Sequence, residues 1–568
     1  MRDSSIAVYV LVLCAFLFAQ SAARAEAVSA GPDERAAVAA WAADVFGDPA
    51  LDSSTAAPVE LQLKRQDFSE LHFRMSCVDT PLRIGDRGFE RGLGTHANSE
   101  IAATLPEGAV RFEAFAGIDN NPDTGGQRGS AVFIVDVDGA AAMQTPVLHG
   151  GDAPYHVTVD LPAGAQSLTL KTDTTADGPA HDQADWADAR YILADGTAVW
   201  LDDGHHRPPM APGQAPFSFR YADRNSRDFL ADWERAASSR DCGTYRLCTA
   251  RWTDPATRLC VTAEIKVYQA HPAVDWVLSF ENGGTADTPL IEDIQALDLT
   301  MHTGTAALPV EFGHNRGDVF SEASFENATV KLEPGNSFAL APQGGRSSNG
   351  AFPFFDLRFG NNTVVGAIGW SGQWALSAVR EDPEHLRLRA GMERTRLALH
   401  PGEKIRTPRI LLLVNTADAA TAHNRFRRLL LAEYLPKIDG QPVVPPVALQ
   451  CFDRYVWSRD DWATEAGQLA AARFAKSAGF DTLWLDAAWF EGGFPNGVGN
   501  WYYKPKAFPN GLKPVGDLCD ELGLKFVVWF EPERVAKGSE IAREHPDYVF
   551  GGGRAACSAW TFPRRGSG

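Results

Sequence analysis

The sequence predicts a multidomain protein in which two β-sandwiches precede the first part of a (β/α)8 barrel. At 568 residues the chain is long for one domain. We place the first sandwich at 57–203 and the second at 217–440, where apolar and polar residues alternate with a period of two. From 446 to 568, apolar strands alternate with helical patterns, which is typical of a parallel sheet covered by helices. A Pro-rich joint at 206–216 separates the sandwiches.

The composition narrows the class of ligand. The net charge is −19, which disfavours nucleic acid and anionic membranes as partners, while an oligomer remains open. Fifteen Trp and 32 Phe can supply stacking surfaces for sugars, although large cores also use such rings. The sequence has no CxxC, HExxH, GxSxG, P-loop or GxGxxG motif, so no metal centre or other cofactor is expected from motifs.

The first 25 residues have the pattern of an export signal. An apolar run at 6–19 is followed by "ARA" at 23–25, which is a small-x-small cleavage site. We expect a secreted or periplasmic protein, with a retained anchor as the alternative. Residues 26–56 are predicted to be a linker with a short helix.

Three neighbouring cysteines are candidates for a disulfide. Cys242, Cys248 and Cys260 lie close in sequence, and an oxidising compartment would allow one bond among them. The sequence does not fix which two residues would pair.

Polar residues follow each predicted strand of the last region. Asp453 follows the first strand, Asp486 ends the second, and Glu531 follows the third. The carboxyl ends of parallel strands meet at one edge, where barrels place their functional groups. We therefore predict a site at this edge; helix capping and loop polarity are the alternative explanation.

Several motifs resemble known families. "WLDAAWF" (484–490), "GNWYYKPKAFPNGLKPV" (499–515) and "VVWFEPERV" (527–535) resemble the catalytic barrel of glycoside hydrolase family 36, the α-galactosidase or melibiase group. "AIGWSGQW" (367–374) resembles the large sandwich that precedes this barrel. The first sandwich is similar to NPCBM-type carbohydrate-binding modules, through "GLGTHANSEI", "AGIDNN" and "HDQADWADAR".

The resemblance implies hydrolysis of terminal α-galactosides with retention, and a galactose-containing oligo- or polysaccharide as partner. It implies that Asp486 accepts hydrogen bonds from sugar hydroxyls in the −1 subsite, that Trp529 lines this pocket and that Trp501 borders it. We add Trp489 and Glu531 as further substrate-binding candidates.

This chain departs from the family pattern at two places. Ala487 stands where the family commonly has a second Asp, and "QCFD" at 450–453 stands where Asn and Trp are usual. Both departures weaken galactose as the specific sugar. A glycosidase for another sugar, such as α-N-acetylgalactosamine, and a non-enzymatic carbohydrate-binding protein are the alternatives.

No catalytic residue is predicted within the chain. In the family the nucleophilic Asp follows the fourth strand in a Lys-x-Asp-x-Asn motif, and the acid/base Asp lies further on; neither occurs before Gly568. A one-base shift of the tail "CSAWTFPRRGSG" (557–568) allows Leu-Gly-Leu-Asp-Leu-Pro-Glu-Ala-Arg, which resembles the family. We therefore expect an inactive, truncated or frameshifted product.

Four residues of the first sandwich are candidates for a carbohydrate site. His96, Asp119, Asp185 and Trp186 lie in the NPCBM-like motifs, and His96 and Trp186 are the expected glycan contacts. The Asp residues between 173 and 188 are candidates for Ca²⁺ through oxygen ligands. The alternative is that these Asp residues stabilise tight turns by bonding to their own backbone.

Overall fold

The computed structural model describes most of the chain as two compact units, one ending at Tyr434 and one beginning at Leu435. The described residues are 32–48, 59–203, 209–303, 309–319, 321–360, 362–416, 418–450, 462–487, 489–532 and 534–549. The predicted export signal, Asp453 and the tail after 550 lie outside them. The predicted fold class is confirmed: antiparallel sandwiches precede parallel strands covered by helices.

The first unit begins with a helix and continues into a module of two antiparallel sheets. The helix is α1 (Pro32–Phe46). The module's strands are β1 (Leu61–Gln66), β2 (His72–Phe73), β3 (Arg83–Ile84), β4 (Arg87–Gly88), β5 (Gly92–His96), β6 (Ser99–Thr104), β7 (Ala109–Ile118), β8 (Ser130–Val137), β9 (Ala140–Gln144), β10 (Leu148–His149), β11 (Tyr155–Asp160), β12 (Ser167–Thr174), β13 (Gln183–Leu193) and β14 (Ala198–Trp200). The strand orders are β1-β6-β12-β8-β10 and β11-β7-β13-β5-β2, with β9 beside β8 and β14 beside β13.

The second module sheet packs against the first sheet on one face and is partly covered on the other. The inner face packs on the first sheet through Leu93, Phe112 and Trp186. The outer face is covered by residues 74–91, here called the cover segment, which includes the hairpin of β3 and β4. Its Ile84 lies against the bare backbone of Gly117, where an added Cβ would approach Ile84 Cγ2 to 2.2 Å.

The second part of the first unit is a larger sandwich. Its strands are β15 (Ser218–Tyr221), β16 (Arg224–Asn225), β17 (Glu234–Asp241), β18 (Tyr245–Thr253), β19 (Leu259–Tyr268), β20 (Ala273–Asn282), β21 (Ile291–His302), β22 (Val310–Arg316), β23 (Asn327–Leu332), β24 (Ser337–Leu340), β25 (Ala351–Phe359), β26 (Asn362–Gly369), β27 (Trp374–Arg380), β28 (His385–Met392), β29 (Arg396–Leu397), β30 (Lys404–Arg406) and β31 (Arg409–Asn415). One sheet runs β16-β15-β21-β28-β27-β24 and the other β17-β18-β19-β20-β31-β26-β25-β22-β23, with β29 on β21 and β30 on β20.

Helix α1 belongs to the core of this larger sandwich, although the module lies between them in sequence. The rings of Trp41 and Phe46 lie 6.4 and 5.7 Å from the ring of Trp276 on β20. The Trp41 indole N–H donates to the carbonyl of Ala211 at 3.0 Å. The segment predicted as a linker therefore contains a structural helix, and the module is inserted between two parts of one sandwich.

The larger sandwich ends in helix α2 (Ala419–Leu429), which continues as a π-helical turn at Leu430–Tyr434. The side chain of Asp418 caps the helix by accepting the backbone N–H of Thr421 at 2.7 Å. The apolar side of the helix, with Phe426, packs on the outer face of β26 and β31.

The predicted disulfide is wrong for the described cysteines. Cys242, Cys248 and Cys260 all carry free thiols. On the antiparallel ladder Cys248 is opposite Ile265, whereas Cys260 is opposite Thr253. Cys248 and Cys260 are therefore not opposite each other on the ladder but are offset along it by several residues.

The second unit contains a short hairpin and a three-stranded parallel sheet. The hairpin pairs β32 (Lys437–Ile438) with β33 (Gln441–Pro442). The sheet has the order β34-β35-β36, and its elements are β34 (Ala448–Gln450), α3 (Glu465–Ser477), β35 (Thr482–Leu485), α4 (Lys513–Leu522), β36 (Lys525–Val528) and α5 (Glu540–Glu544). Helices α3 and α4 cover one face through Ala471, Leu483 and Val515. None of the described helices is long and apolar enough to cross a membrane.

Candidate functional site

Asp486 lies at the carboxyl end of β35, the central strand of the parallel sheet. Its side chain is 7% exposed and accepts two hydrogen bonds. The amide of Gln450, at the end of β34, donates to one carboxylate oxygen, and the backbone N–H of Ala487 donates to the other at 2.6 Å. An ionised carboxylate has about four acceptor positions, so capacity remains for hydroxyl groups of a ligand.

Gln450 is a functional residue that the sequence analysis did not single out. It stands where the family usually has another residue, and the structure makes it the direct partner of Asp486. Its register also places it in one row with Trp484 of β35 and Val527 of β36. The indole N–H of Trp484 is buried and has no acceptor among the described residues. This row forms the sheet face opposite α3 and α4.

Aromatic rings surround the end of this sheet. Phe490 stacks on Trp529 with ring centres 6.2 Å apart and meets Trp501 edge-on at 5.0 Å. Phe530, which the sequence analysis missed, is 52% exposed and lies 5.3 Å from Trp501. Trp501 and Trp529 are half-buried, and their role in lining a sugar pocket stays a prediction.

Trp489 supports this cluster from inside. Its ring is buried, and its indole N–H donates to the carbonyl of Trp529 at 3.0 Å. The prediction that Trp489 contacts substrate is therefore corrected: the residue positions Trp529 instead of presenting a ring face.

A tight loop places Trp501 beside the cluster. Gly492 has a φ of +80°, a conformation that favours glycine. An added Cβ at Gly497 would lie 2.0 Å from the carbonyl oxygen of Glu491. The glycines of "EGGFPNGVGN" are thus needed for the chain to fold back on itself before Trp501.

Glu531 follows β36 at the same edge of the sheet, as predicted, but it is already paired. Both oxygens of its carboxylate accept hydrogen bonds from Arg534, and the Nη2–Oε2 distance is 2.7 Å. The guanidinium of Arg534 also lies 5.3 Å from the ring centre of Phe494. Glu531 therefore pairs with Arg534 and stabilises the loop after β36 in the present geometry.

The candidates in the module occupy different environments from those predicted. Trp186 is fully buried between the sheets, 5.2 Å from Phe133, and donates its indole N–H to Thr172 at 3.1 Å. A ring in the core cannot stack on a glycan, so this assignment is wrong. His96 is buried, with its ring 5.2 Å from that of Phe68, which is half-exposed.

The two other module candidates, Asp119 and Asp185, are fully buried beneath the cover segment. They are not surface contacts for a glycan. Within the described chain no group of three or more His, Cys, Asp or Glu residues is arranged to hold a metal ion. Asp182 instead accepts the backbone N–H of Ser130 and the hydroxyl of Thr174, both at 2.9 Å, and so links neighbouring strands rather than bonding to its own backbone in a tight turn.

Two protein-family models match separate stretches of the chain. The NPCBM/NEW2 domain family matches residues 53–192, and the melibiase family matches residues 452–559. One stretch of the chain is thus similar to NPCBM modules and another to melibiases. The resemblance predicted from the motifs is thereby confirmed, and Asp486, Trp501 and Trp529 all lie within the melibiase segment.

Several proteins that are similar to this chain are α-galactosidases. Alpha-galactosidase 2 of Pediococcus pentosaceus is 25% identical over 310 residues, which make up 52% of this chain and 40% of that protein. Alpha-galactosidase Mel36A of Lactobacillus acidophilus is 27% identical over 217 residues, 36% of this chain and 29% of that protein. Among solved structures, the family 36 α-galactosidase AgaA of Geobacillus stearothermophilus matches with a TM-score of 0.47 and 19% identity, covering 59% of this chain and 48% of that chain. The chain spans less than half the length of these relatives.

Proposed function

We propose that the melibiase segment recognises a terminal α-galactosyl unit as part of a retaining family 36 α-galactosidase. The observation that carries the proposal is the position of Asp486, a buried carboxylate with remaining acceptor capacity at the carboxyl end of a parallel strand. The half-buried rings of Trp501 and Trp529 border the same end of the sheet. Carboxylate acceptors and an aromatic wall together suit a pyranose, which has polar edges and apolar faces.

The described carboxylates provide recognition rather than a complete catalytic pair. Retaining glycosidases use two carboxyl groups about 5–5.5 Å apart, one as nucleophile and one as acid/base. Asp486 is held by Gln450, and Glu531 is held by Arg534. We therefore expect sugar binding by the 568-residue chain, and no hydrolysis of a nitrophenyl α-galactoside above the level of a D486A variant.

Calorimetric titration with galactose, raffinose and stachyose tests the recognition role. The last two are the sugars with which variants of the Geobacillus enzyme were solved. D486A should weaken galactose binding at least about tenfold, because a hydrogen bond to a charged group contributes about 1.5–3 kcal/mol. D517A is the matched control, since Asp517 is an exposed residue of the same unit that pairs with Lys513.

Equal affinities for wild type and D486A would contradict the proposal. Binding that survives in D486A would favour the second candidate function, a carbohydrate-binding protein that acts through its NPCBM module. A preference for N-acetylgalactosamine over galactose that D486A abolishes would keep the site and change the sugar.

We further propose that the protein is exported. The support is the pattern of residues 1–25, with its apolar run and the small-x-small sequence that ends at Ala25. N-terminal sequencing of the protein from its native host should find Glu26 as the first residue. An intact Met1 on the mature protein would contradict export by cleavage.

A further inference from the structure

Two carboxyl groups face each other inside the module. Asp185 on β13 is opposite Gly117 on β7, and Asp119 follows two residues later, so their side chains share one face of the sheet as diagonal neighbours. Both are fully buried, and the two carboxyl groups lie within hydrogen-bonding reach of each other.

The cover segment closes over this pair. Backbone contacts dock it there: the Arg83 carbonyl accepts the Asn120 N–H at 2.6 Å, and the Arg74 N–H donates to Gly92 at 2.8 Å. Leu82, Ile84 and Phe89 pack on the same outer face of the sheet. Water reaches the pair only if the segment moves, because both carboxyl groups are fully buried beneath it.

The surroundings favour one negative charge rather than two. Burial raises the pKa of Asp119, but hydrogen bonds from the Arg83 N–H at 3.0 Å and the Asn121 amide at 2.7 Å oppose this effect, so Asp119 is the better stabilised of the two carboxyl groups in the ionised form. Neither oxygen of Asp185 receives a hydrogen bond of normal geometry from the described residues, and neither Asp has an ion pair with any of them.

The other titratable groups near the pair add no positive charge. The Cys77 thiol is buried on the cover segment, and the negative charges of Asp185 and Asp119 act on it; the Thr80 hydroxyl bonds to Asp119. Asp79 lies nearby and pairs with His72 at 2.9 Å. Two ionised carboxylates in such a place would repel each other without compensation.

We propose that Asp185 is protonated and donates a hydrogen bond to ionised Asp119, and that this hydrogen bond holds the cover segment on the module. Loss of the proton places two negative charges beneath the cover segment and favours its release from the sheet. The module thus contains a pH-sensitive latch, which is independent of the sugar site in the second unit.

Linkage gives the direction of the effect. Burial raises the pKa of Asp185 well above its usual value, and the charge of Asp119 raises it further. Between the ordinary Asp pKa and this raised value, the closed form holds a proton that the open form does not. Closure therefore weakens as the pH rises through that window, about tenfold in its equilibrium constant per pH unit.

Hydrogen exchange of the full-length protein between pH 5 and pH 9, read by mass spectrometry, tests the latch. After correction for intrinsic exchange, protection of peptides spanning 74–91 should fall with rising pH in the wild type, by about tenfold per pH unit below the raised pKa of Asp185, and should level off above it. In D185N the amide donates to Asp119 without titrating, so protection should be independent of pH. D160N is the matched control, because Asp160 of β11 is exposed, and it should keep the wild-type slope.

Three results would overturn the proposal: a wild-type segment whose protection does not change with pH, a D185N slope equal to that of the wild type, or restoration of protection at high pH by millimolar Ca²⁺, which would make the pair a cation site. D119N provides an independent variant: burial still raises the pKa of Asp185 there, so protection should still fall with rising pH, but over a narrower pH range than in the wild type. If neither variant folds, a thiol reagent can label the buried Cys77 of the wild type and of D160N. The labelling rate, divided by the rate for the same thiol in urea at each pH, still reports whether the cover segment opens as the pH rises.

Discussion

Asp298 in the larger sandwich shows how one buried carboxylate can organise several cations. Arg387 donates to both of its oxygens at 2.8 and 3.0 Å, Ser218 donates at 2.6 Å, and Arg227 lies 3.1 Å away. Burial alone would raise the pKa of Asp298, but the hydrogen bonds from Arg387 and Ser218 and the charge of Arg227 outweigh it and lower the pKa. The carboxylate is therefore ionised and stabilising at neutral pH.

Removing this carboxylate should destabilise the sandwich. We expect D298A to lower the free energy of unfolding by about 2–3 kcal/mol, less than for a fully buried pair because its arginine partners remain partly solvated. The deficit should be complete at pH 7 and should shrink as the pH falls below about 4, because Asp298 of the unfolded wild type then takes up a proton that the folded protein binds only at lower pH. Urea unfolding of both proteins across this pH range measures it.

E381A is the control for this change. Glu381 is partly exposed and lies 3.8 Å from Arg387, so its removal should alter stability by less than about 0.5 kcal/mol. A D298A deficit that stays constant down to pH 3 would show that packing, rather than the ionised carboxylate, accounts for the loss.

At the residue scale, the sequence predicted where side chains lie along the strands better than it predicted their burial and their contacts. It placed Asp486 and Glu531 at adjacent strand ends, and the register of β35 and β36 agrees. It did not show that Gln450 would satisfy Asp486, because that contact joins residues 36 positions apart. Trp186 and Asp185 were chosen from the NPCBM-like motif, which does not show that Trp186 packs between the sheets and that the cover segment buries Asp185 on the outer face.

At the element scale, helix α1 is the part that the sequence predicted least completely. A short helix was expected, but its role was not, because apolar residues occur on nearly every side and give no single stripe to indicate a packing direction. The helix is buried almost all round because it inserts beside β19, β20 and β31. The strands themselves were predictable, since alternation reports a half-buried sheet directly.

Truncation of Trp41 should show how much α1 contributes. W41A should lower the free energy of unfolding of the larger sandwich by about 3–5 kcal/mol, the usual cost of removing a large buried aromatic side chain. W41F keeps most of the ring packing on Trp276 but loses the hydrogen bond to Ala211, so it should cost about 1 kcal/mol. Urea unfolding followed by tryptophan fluorescence distinguishes the two; equal effects would mean that packing on Trp276 is unimportant.

At the scale of the whole molecule, the module's two ends attach to the larger sandwich at neighbouring points. The backbone N–H of Gly213, just after the module, donates to the side chain of Asp44, just before it, at 2.6 Å. The sandwich thus needs sequence from both sides of the module. This is not visible in a linear domain plan, which places α1 before the module and every strand of the larger sandwich after it.

Two deletions test this arrangement. A protein in which residue 48 is joined to residue 209 by a short Gly-Ser linker should retain the larger sandwich, because Asp44 and Gly213, four residues from the joined points, already contact each other. A protein that begins at residue 209 should be strongly destabilised, because it lacks α1 and exposes Trp276. Solubility and thermal unfolding of the two proteins decide between them; equal stability would show that α1 is dispensable.

The insertion also determines how the module can be lost from the protein. A single proteolytic cut at 49–58 or at 204–208 leaves the module covalently attached through the other connection. After a cut at 49–58, α1 remains seated in the larger sandwich by its own packing, and the fragments stay together. Release of the carbohydrate-binding part requires two cleavages, so the module is protected against the single event that would detach a terminal domain.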